Sequence, residues 1–296
     1  MTERPDLLTN PRSDRVRMVK RLSGRSARLR HGQLLVEGPQ GVREAVRHAP
    51  ERVRDLYLTV DAAERYPEIL AAARGAVAHI HLATAEVLSA MSGDAQGVLA
   101  VVRAEPARLP TGGMHLVAVL PWAADPGNLG TIVRAADAAG ADAVVLGPGS
   151  VEPTNPKVVR STAGSLFHLP VVPVEDLADT VTSLRSGGVQ VLAAAADGEW
   201  DLDTLADEAL LAPLPADSRL PAESRLPADS RLVDGPDLRR PTAWLFGNEA
   251  HGLRPEEREL ADAVVGVPIH GLAESLNVAT AATLCLYASA RAQRRI

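Results

Sequence analysis

The sequence predicts an α/β protein of two domains, on three observations. Short apolar runs alternate with stretches of helical periodicity along almost the whole chain, the pattern of sheets covered by helices. The stretch Arg103 to Gly113 (Arg-Ala-Glu-Pro-Ala-Arg-Leu-Pro-Thr-Gly-Gly) interrupts that alternation with proline and glycine and divides it into two series. Of the 296 residues, 46% are hydrophobic but only 3% aromatic, so the core must be packed from Ala, Val and Leu. The expected layout is a flexible N-terminus over 1–11, a first domain over 12–103, a linker over 104–113 and a second domain over 114–296.

In the first series Gln33 to Glu37 is a short apolar run and hence a strand. Gly38-Pro39 follows and opens a helical pattern through His48. Val53 to Val60 reads as a strand, Ala62 to Arg74 as one helix, and Val77 to Leu82 as a strand. Ala85 to Met91 is helical and Gly97 to Val102 is strand-like.

The second series opens with a strand, His115 to Leu120, then a helix over Leu129 to Ala139 stopped by Gly140, then a strand over Ala143 to Leu146. Asn155 to Ala163 reads as helical. Leu169 to Val174, Leu177 to Ser186 and Val189 to Ala194 follow as strand, helix and strand. A hexapeptide then occurs three times, Leu214-Pro-Ala-Asp-Ser-Arg219, Leu220-Pro-Ala-Glu-Ser-Arg225 and Leu226-Pro-Ala-Asp-Ser-Arg231. Proline at every sixth position excludes a regular helix or central strand, and 209–240 is expected to be a disordered surface insertion without a catalytic role.

Charge and composition exclude several classes. The net charge of −6 argues against a chain that coats nucleic acid everywhere, but Arg12 to Arg30 holds eight basic residues and one acid. Such a cluster suits phosphate contacts, with Arg25, Arg28 and Arg30 as candidates; a solvated basic helix would look the same. No apolar run approaches the ~18 residues of a membrane span, and the N-terminus carries no apolar signal core, so no membrane is expected and the location is cytoplasmic. A single cysteine, Cys285, excludes an internal disulfide framework. The histidines show no HExxH or other familiar ligand spacing, and no metal is expected.

Three segments of the second half carry chemistry. Asp125-Pro-Gly-Asn128-Leu-Gly-Thr-Ile-Val-Arg134 follows an apolar strand, with Asn128 where a helix N-cap belongs and Arg134 interrupting a helix of small residues. Trp244-Leu-Phe-Gly247-Asn248-Glu249-Ala250-His251-Gly252-Leu253 is a strand running into a glycine turn with one carboxylate. Val267-Pro-Ile-His-Gly-Leu-Ala-Glu274-Ser275-Leu276-Asn277-Val278 leads into the helix Ala279 to Arg291, where Ser275 and Asn277 also suit helix capping. GxGxxG and GxxxxGK[ST] are both absent; Gly147-Pro148-Gly149 lacks the third glycine and has Pro153 and Pro156 where a helix should open.

In order and spacing these three segments resemble the three motifs of the SpoU/TrmH family of RNA ribose 2′-O-methyltransferases, in the SPOUT superfamily. Asn155-Pro-Lys-Val-Val-Arg160-Ser-Thr-Ala-Gly164 resembles the segment between the first two motifs. The resemblance spans roughly Gly113 to Arg291, with the hexapeptides falling in a loop before the second motif. Residues 15–103, with Leu35-Val-Glu-Gly38, look like the family's substrate-binding module, a ribosomal-protein-type α/β/α domain. Ala250 departs from the glycine common there.

The resemblance implies a parallel sheet with a C-terminal trefoil knot, a homodimer that completes the site, and S-adenosylmethionine held by Gly247, Val267 and Leu276. It implies transfer of methyl to a ribose 2′-hydroxyl, with Arg134 as the catalytic residue and Asn128, Glu249, Ser275 and Asn277 positioning it and the ribose. A guanidinium stays protonated, so stabilisation of a developing alkoxide is expected of Arg134 rather than proton abstraction. The partner is RNA, with ribosomal RNA favoured by the substrate-binding domain and transfer RNA the alternative. Two other classes stay open: a non-catalytic RNA-binding or ribosome-assembly factor, which an activity test separates, and a nucleotide-dependent dehydrogenase, which the missing phosphate-binding glycines disfavour.

Overall fold

A computed structural model describes residues 7–211, 235–248 and 251–294. The chain divides into two compact units. The first runs to Pro106 and takes in Val151–His168; the second comprises Ala107–Ser150 and the chain from Leu169 onward. Residues 151–168 pack with the first unit.

The first unit contains α1 (Asp14–Arg21), α2 (Arg25–His31), β1 (Gln33–Glu37), α3 (Pro39–His48) and β2 (Val53–Leu58). These are followed by α4 (Val60–Arg65), α5 (Pro67–Ala73), β3 (His79–Leu82), α6 (Ala85–Met91) and β4 (Val98–Arg103). The sheet order is β1-β4-β2-β3, with β4 antiparallel to both neighbours and β2 parallel to β3. Side chains alternate across a strand. Leu34 and Val36 therefore join Val42, Val46, Leu56 and Ile69 in one apolar layer, while Leu35 joins Val19, Tyr57, Leu88 and Leu99 in the other. Both faces are covered, which is why β1 reads as a continuous apolar run.

Two expectations are corrected here. The helix expected over Ala62 to Arg74 is two helices: Pro67 has no N–H to donate and disfavours a helical Tyr66, which sits at φ −124°, ψ 59°. The N-terminus expected to be flexible through residue 11 is fixed from Leu8, whose N–H donates to Leu82 O at 2.9 Å and whose side chain joins the second apolar layer. Residues 1–6 lie outside the described residues.

The second unit opens with β5 (Leu116–Leu120), α7 (Pro126–Ala139) and β6 (Ala143–Leu146). The intervening α8 (Pro156–Ser161) belongs to the first unit. After it come β7 (Val171–Pro173), α9 (Leu177–Ser186), β8 (Gln190–Ala194), β9 (Trp200–Asp201) and α10 (Leu202–Leu211). Then follow β10 (Thr242–Phe246), α11 (Pro255–Arg258), β11 (Ala263–Gly266) and α12 (Val278–Gln293). All pairings in its seven-stranded sheet are parallel, in the order β7-β6-β5-β10-β8-β11-β9. Every residue of β5 and β10 is buried, as expected when helices cover both faces. On one face Val119, Val145, Leu184, Val191 and Leu245 form the core under α9. On the other α7 and α12 lie side by side, and the buried Trp244 Nε1 donates to Ser289 Oγ on α12 at 2.9 Å.

The flanks of the expected disordered insertion are ordered. α10 runs to Leu211 with Ala209 buried, and Leu238 is fully buried beyond it. The hexapeptides lie outside the described residues.

Candidate active site

The C-terminal ends of adjacent parallel strands, where the strand order departs from chain order, are where open α/β sheets place their ligands. Here β8, β10 and β11 end around a cavity of about 440 Å³. Its wall contains Ala194 to Ala196 after β8, Phe246 to Asn248 at the end of β10, Val267 and Ile269 beyond β11, and Ser275 to Val278 at the start of α12. The apolar surfaces of Phe246, Val267, Ile269 and Leu276 face the same space as the polar Ser275 and Asn277.

Gly247 is fixed there by crowding. A Cβ at this position would lie 2.3 Å from the carbonyl carbon of Gly252 and 2.4 Å from the nitrogen of Leu253, so only glycine lets the two backbone segments cross. The loop is further closed by reciprocal backbone bonds, Asn248 N–H to Gly252 O at 3.2 Å and Gly252 N–H to Asn248 O at 2.9 Å.

Asn277 caps α12, its Oδ1 accepting from Ala279 N–H at 2.9 Å. That bond orients the amide so that Nδ2 donates to Asn128 Oδ1 at 3.1 Å. Asn128 is not the N-cap of α7. Asp125 is, accepting from Asn128 N–H at 2.7 Å, and Pro126 takes the first helical position, where its missing N–H costs nothing. Asn128 therefore sits one turn inside α7.

Of the expected site residues, Gly247, Val267, Ser275, Leu276 and Asn277 line one cavity, and Asn128 joins it through Asn277. Arg134 does not line it. Arg134 lies six residues beyond Asn128 on α7, rotated to another face, and is exposed, with no hydrogen bond or ion pair among the described residues. Glu249 lies outside the described residues. Sequence reasoning passed over Ala194 to Ala196, whose only signal was the end of a strand, and Asp125, which the Asp-Pro pair could have marked.

The expected RNA contacts separate in the first unit. Arg30 is exposed, and the Arg25 side chain is 73% exposed while its Nε donates to Glu152 Oε1 at 2.5 Å. Arg28 is corrected: its side chain is only 5% exposed, donating to Ser23 O at 2.8 Å and Glu152 Oε2 at 2.9 Å, so it is committed to the fold. Burial pushes the Glu152 carboxyl up, but hydrogen bonds from Arg25 and Arg28 outweigh it and hold the group below its ordinary range.

The cavity falls within the ~300–1,000 Å³ of sites for drug-sized ligands, with largely apolar walls and a few polar groups. S-adenosylmethionine fits that description. Among the described residues no helix is long and apolar enough to cross a membrane.

Residues 115–287 match the SpoU rRNA Methylase family, and 35–107 match the RNA 2'-O ribose methyltransferase substrate binding domain. The 23S rRNA (guanosine-2'-O-)-methyltransferase RlmB of Bordetella pertussis is 30% identical over 87% of this chain and 96% of its own. The 23S rRNA (guanosine(2553)-2'-O)-methyltransferase RlmP of Bacillus subtilis is 30% identical over 95% of this chain and 97% of its own. The crystal structure of the SpoU methyltransferase AviRb from Streptomyces viridochromogenes in complex with AdoMet superposes with a TM-score of 0.73 at 29% identity, covering 95% of this chain and 99% of that one. By these matches, with parts of all three motifs at or tied to one cavity at the sheet's carboxyl edge, the chain belongs to the SpoU rRNA methylase family.

Proposed function

We propose that the protein is an S-adenosylmethionine-dependent RNA methyltransferase acting on a ribose 2′-hydroxyl, with ribosomal RNA as its substrate and the cytoplasm as its location. The observation that carries this is the convergence of Gly247, Val267, Ser275, Leu276 and Asn277, from three separate segments, on one cavity tied to the distant Asn128. The relatives' names, which specify 23S rRNA, support the choice of ribosomal over transfer RNA.

Bound S-adenosylmethionine supplies an already activated methyl. Gly247, Val267 and Leu276 would hold it, largely through backbone and apolar contact. The chain must then orient the ribose and manage the proton of its hydroxyl. Asn277, locked by its cap, and Asn128 beside it are suited to holding the ribose, with Ser275 and Glu249 assigned to the same task. Arg134 stabilises the oxygen as negative charge develops, because a guanidinium does not act as a base, and water or a phosphate oxygen takes the proton.

The reading includes a homodimer, supported by the position of Arg134, exposed and outside its own chain's cavity, and by Leu284 and Tyr287, also exposed on α12 beside α7. A second copy would bring the guanidinium to the site. The trefoil knot is part of the same reading, supported by the sheet order in which β10 and β11 flank β8. RNA binding is assigned to Arg30 and Arg25 of the first unit, assisted by the exposed Arg12, Arg15, Arg17, Lys20 and Arg21.

The test uses methyl-labelled S-adenosylmethionine with unmodified ribosomal and transfer RNA in separate reactions. Label should enter ribosomal RNA at one nucleotide resistant to alkaline cleavage. Arg134→Ala should abolish transfer and leave cofactor binding intact. Absence of both label and cofactor binding would overturn the assignment, and label in transfer RNA alone would move the substrate.

A further inference from the structure

We propose that Glu44, His48 and His168 form a structural site for zinc or a zinc-like divalent ion, which pins the turn over 162–168 to α3 within the first unit. Glu44 and His48 are four residues apart on α3 and so share a face. His168 arrives from far along the chain. After α8, Ala163 (φ 52°) and Gly164 (φ 107°) reverse the backbone, a 3-10 turn over Ser165–Phe167 follows, and His168 is set beside α3.

The donor atoms already stand at coordinating separations. His48 Nε2 and His168 Nε2 each lie 3.3 Å from the same Glu44 Oε2, and all three ligand atoms fall within 4.8 Å of one another. A tetrahedral ion with bonds of ~2.0–2.1 Å has donor–donor edges of about 3.3 Å, which two of the three pairs match. The rings meet edge to face with centroids 4.5 Å apart. Arg47 approaches the other carboxylate oxygen, Oε1, at 3.9 Å and leaves Oε2 to the imidazoles.

The turn is held independently of any ion. Thr162 and Ser165 are buried, Leu166 and Phe167 pack on the first apolar layer, and Arg52 lies over the Phe167 ring at 5.9 Å. A Cβ on Gly164 would come within 2.5 Å of Glu44 Cγ, so the close approach of turn and helix is built into the sequence. Such preorganisation favours binding. Two imidazole nitrogens and one carboxylate oxygen suit zinc, cobalt or nickel rather than magnesium or calcium, which take oxygen ligands. Solvent supplies the remaining position, since His48 and His168 are both exposed. The site belongs to the first unit, and methyl transfer does not call on it.

The experiment titrates Co²⁺ into untagged, full-length protein cleared of metal by a chelator, followed by visible absorption, with Zn²⁺ competition and a Mg²⁺ control. One equivalent should bind with intense tetrahedral bands, Zn²⁺ should displace it and raise Tm, and Mg²⁺ should do neither. His48→Gln and His168→Gln should each weaken binding about 100-fold or more, while the His79→Gln control should not. Circular dichroism and cofactor binding by the second unit confirm that the variants fold. No saturable Co²⁺ binding would overturn the site and leave two imidazoles beside a carboxylate. Binding that survives both histidine substitutions would also overturn it, as adventitious.

Discussion

Replacing Gly247 with alanine isolates the glycine crossing at the cavity wall. The new methyl would sit 2.3 Å from Gly252 C, 2.4 Å from Leu253 N and 2.7 Å from Gly252 O, all backbone atoms that cannot rotate away. Carbon atoms pack at ~3.5–4.0 Å, so the two segments must separate by more than about 1 Å. Overpacking of this kind costs about 1–3 kcal/mol, or roughly 3–10 °C in Tm for a domain of this size. Both segments border the cavity through Gly247 and Gly252, and misplacing a binding wall by ~1 Å can cost ~100-fold. Calorimetric titration with S-adenosylmethionine should therefore show an affinity loss of about 10–100-fold, beside the Tm decrease. Gly252→Ala is the control. Nothing lies within 4 Å of its Cβ, and only its φ of 65° is strained, at about 1 kcal/mol. Wild-type affinity and Tm in Gly247→Ala would refute the crossing as a determinant of the site.

Three further outcomes follow from the contacts. Asn277→Ala should destabilise by about 1 kcal/mol through loss of the α12 cap, whereas Asn277→Asp should restore stability but not methyl transfer, since it keeps the acceptor and loses the donor to Asn128; a fully active aspartate variant would contradict this. Arg28→Ala should lower stability by about 1–3 kcal/mol by stripping a buried partner from Glu152, while Arg30→Ala should leave Tm unchanged and reduce the salt slope of RNA binding by ~1; exchanged phenotypes would reverse the two roles. Burial pushes the Asp55 carboxyl up, but the hydrogen bond with His81 and the charge of Arg54 outweigh it and hold the group below its ordinary range. Its stabilisation is then complete above about pH 4 and fades as pH falls through the lower folded value, so Asp55→Asn should flatten acid unfolding below pH ~4; an unchanged acid limb would discount the contact.

What the sequence revealed and concealed has a physical pattern. Elements bounded by strong local signals matched in full: Ala85–Met91 follows a Thr84 cap, and Leu177–Ser186 follows an Asp176 cap. Apolar periodicity overrode punctuation in two places. It ran Ala62 to Arg74 together across Pro67, and it started α7 too late by passing over Asp125-Pro126. β9 and α10 were missed because Ala195 to Leu211 mixes glycine, acids and leucines without a clean period. The cavity wall was legible, since close approach of two backbone segments requires glycine and leaves a trace at Gly247. Side-chain traffic was not. The commitment of Arg28 to Glu152 and the meeting of His168 with Glu44 depend on residues more than a hundred positions apart, which no local pattern encodes.

The strand order has a consequence for how the chain comes to be folded. Thr242 pairs with Leu116 on one side and with Gln190 on the other, so the central strand of the large sheet is among the last made. Domains fold during synthesis at ~5–20 residues per second, and one edge of β5 waits without its partner from Leu120 until Thr242 emerges, that of β8 from Ala194. Closing a parallel sheet across so long a stretch is slow, and open apolar edges invite pairing with other chains. Truncation ahead of Thr242 would expose both edges permanently. Production of this protein is therefore expected to be limited by the delay before its middle strand emerges, and to improve when translation is slowed or a chaperone shields the waiting edges.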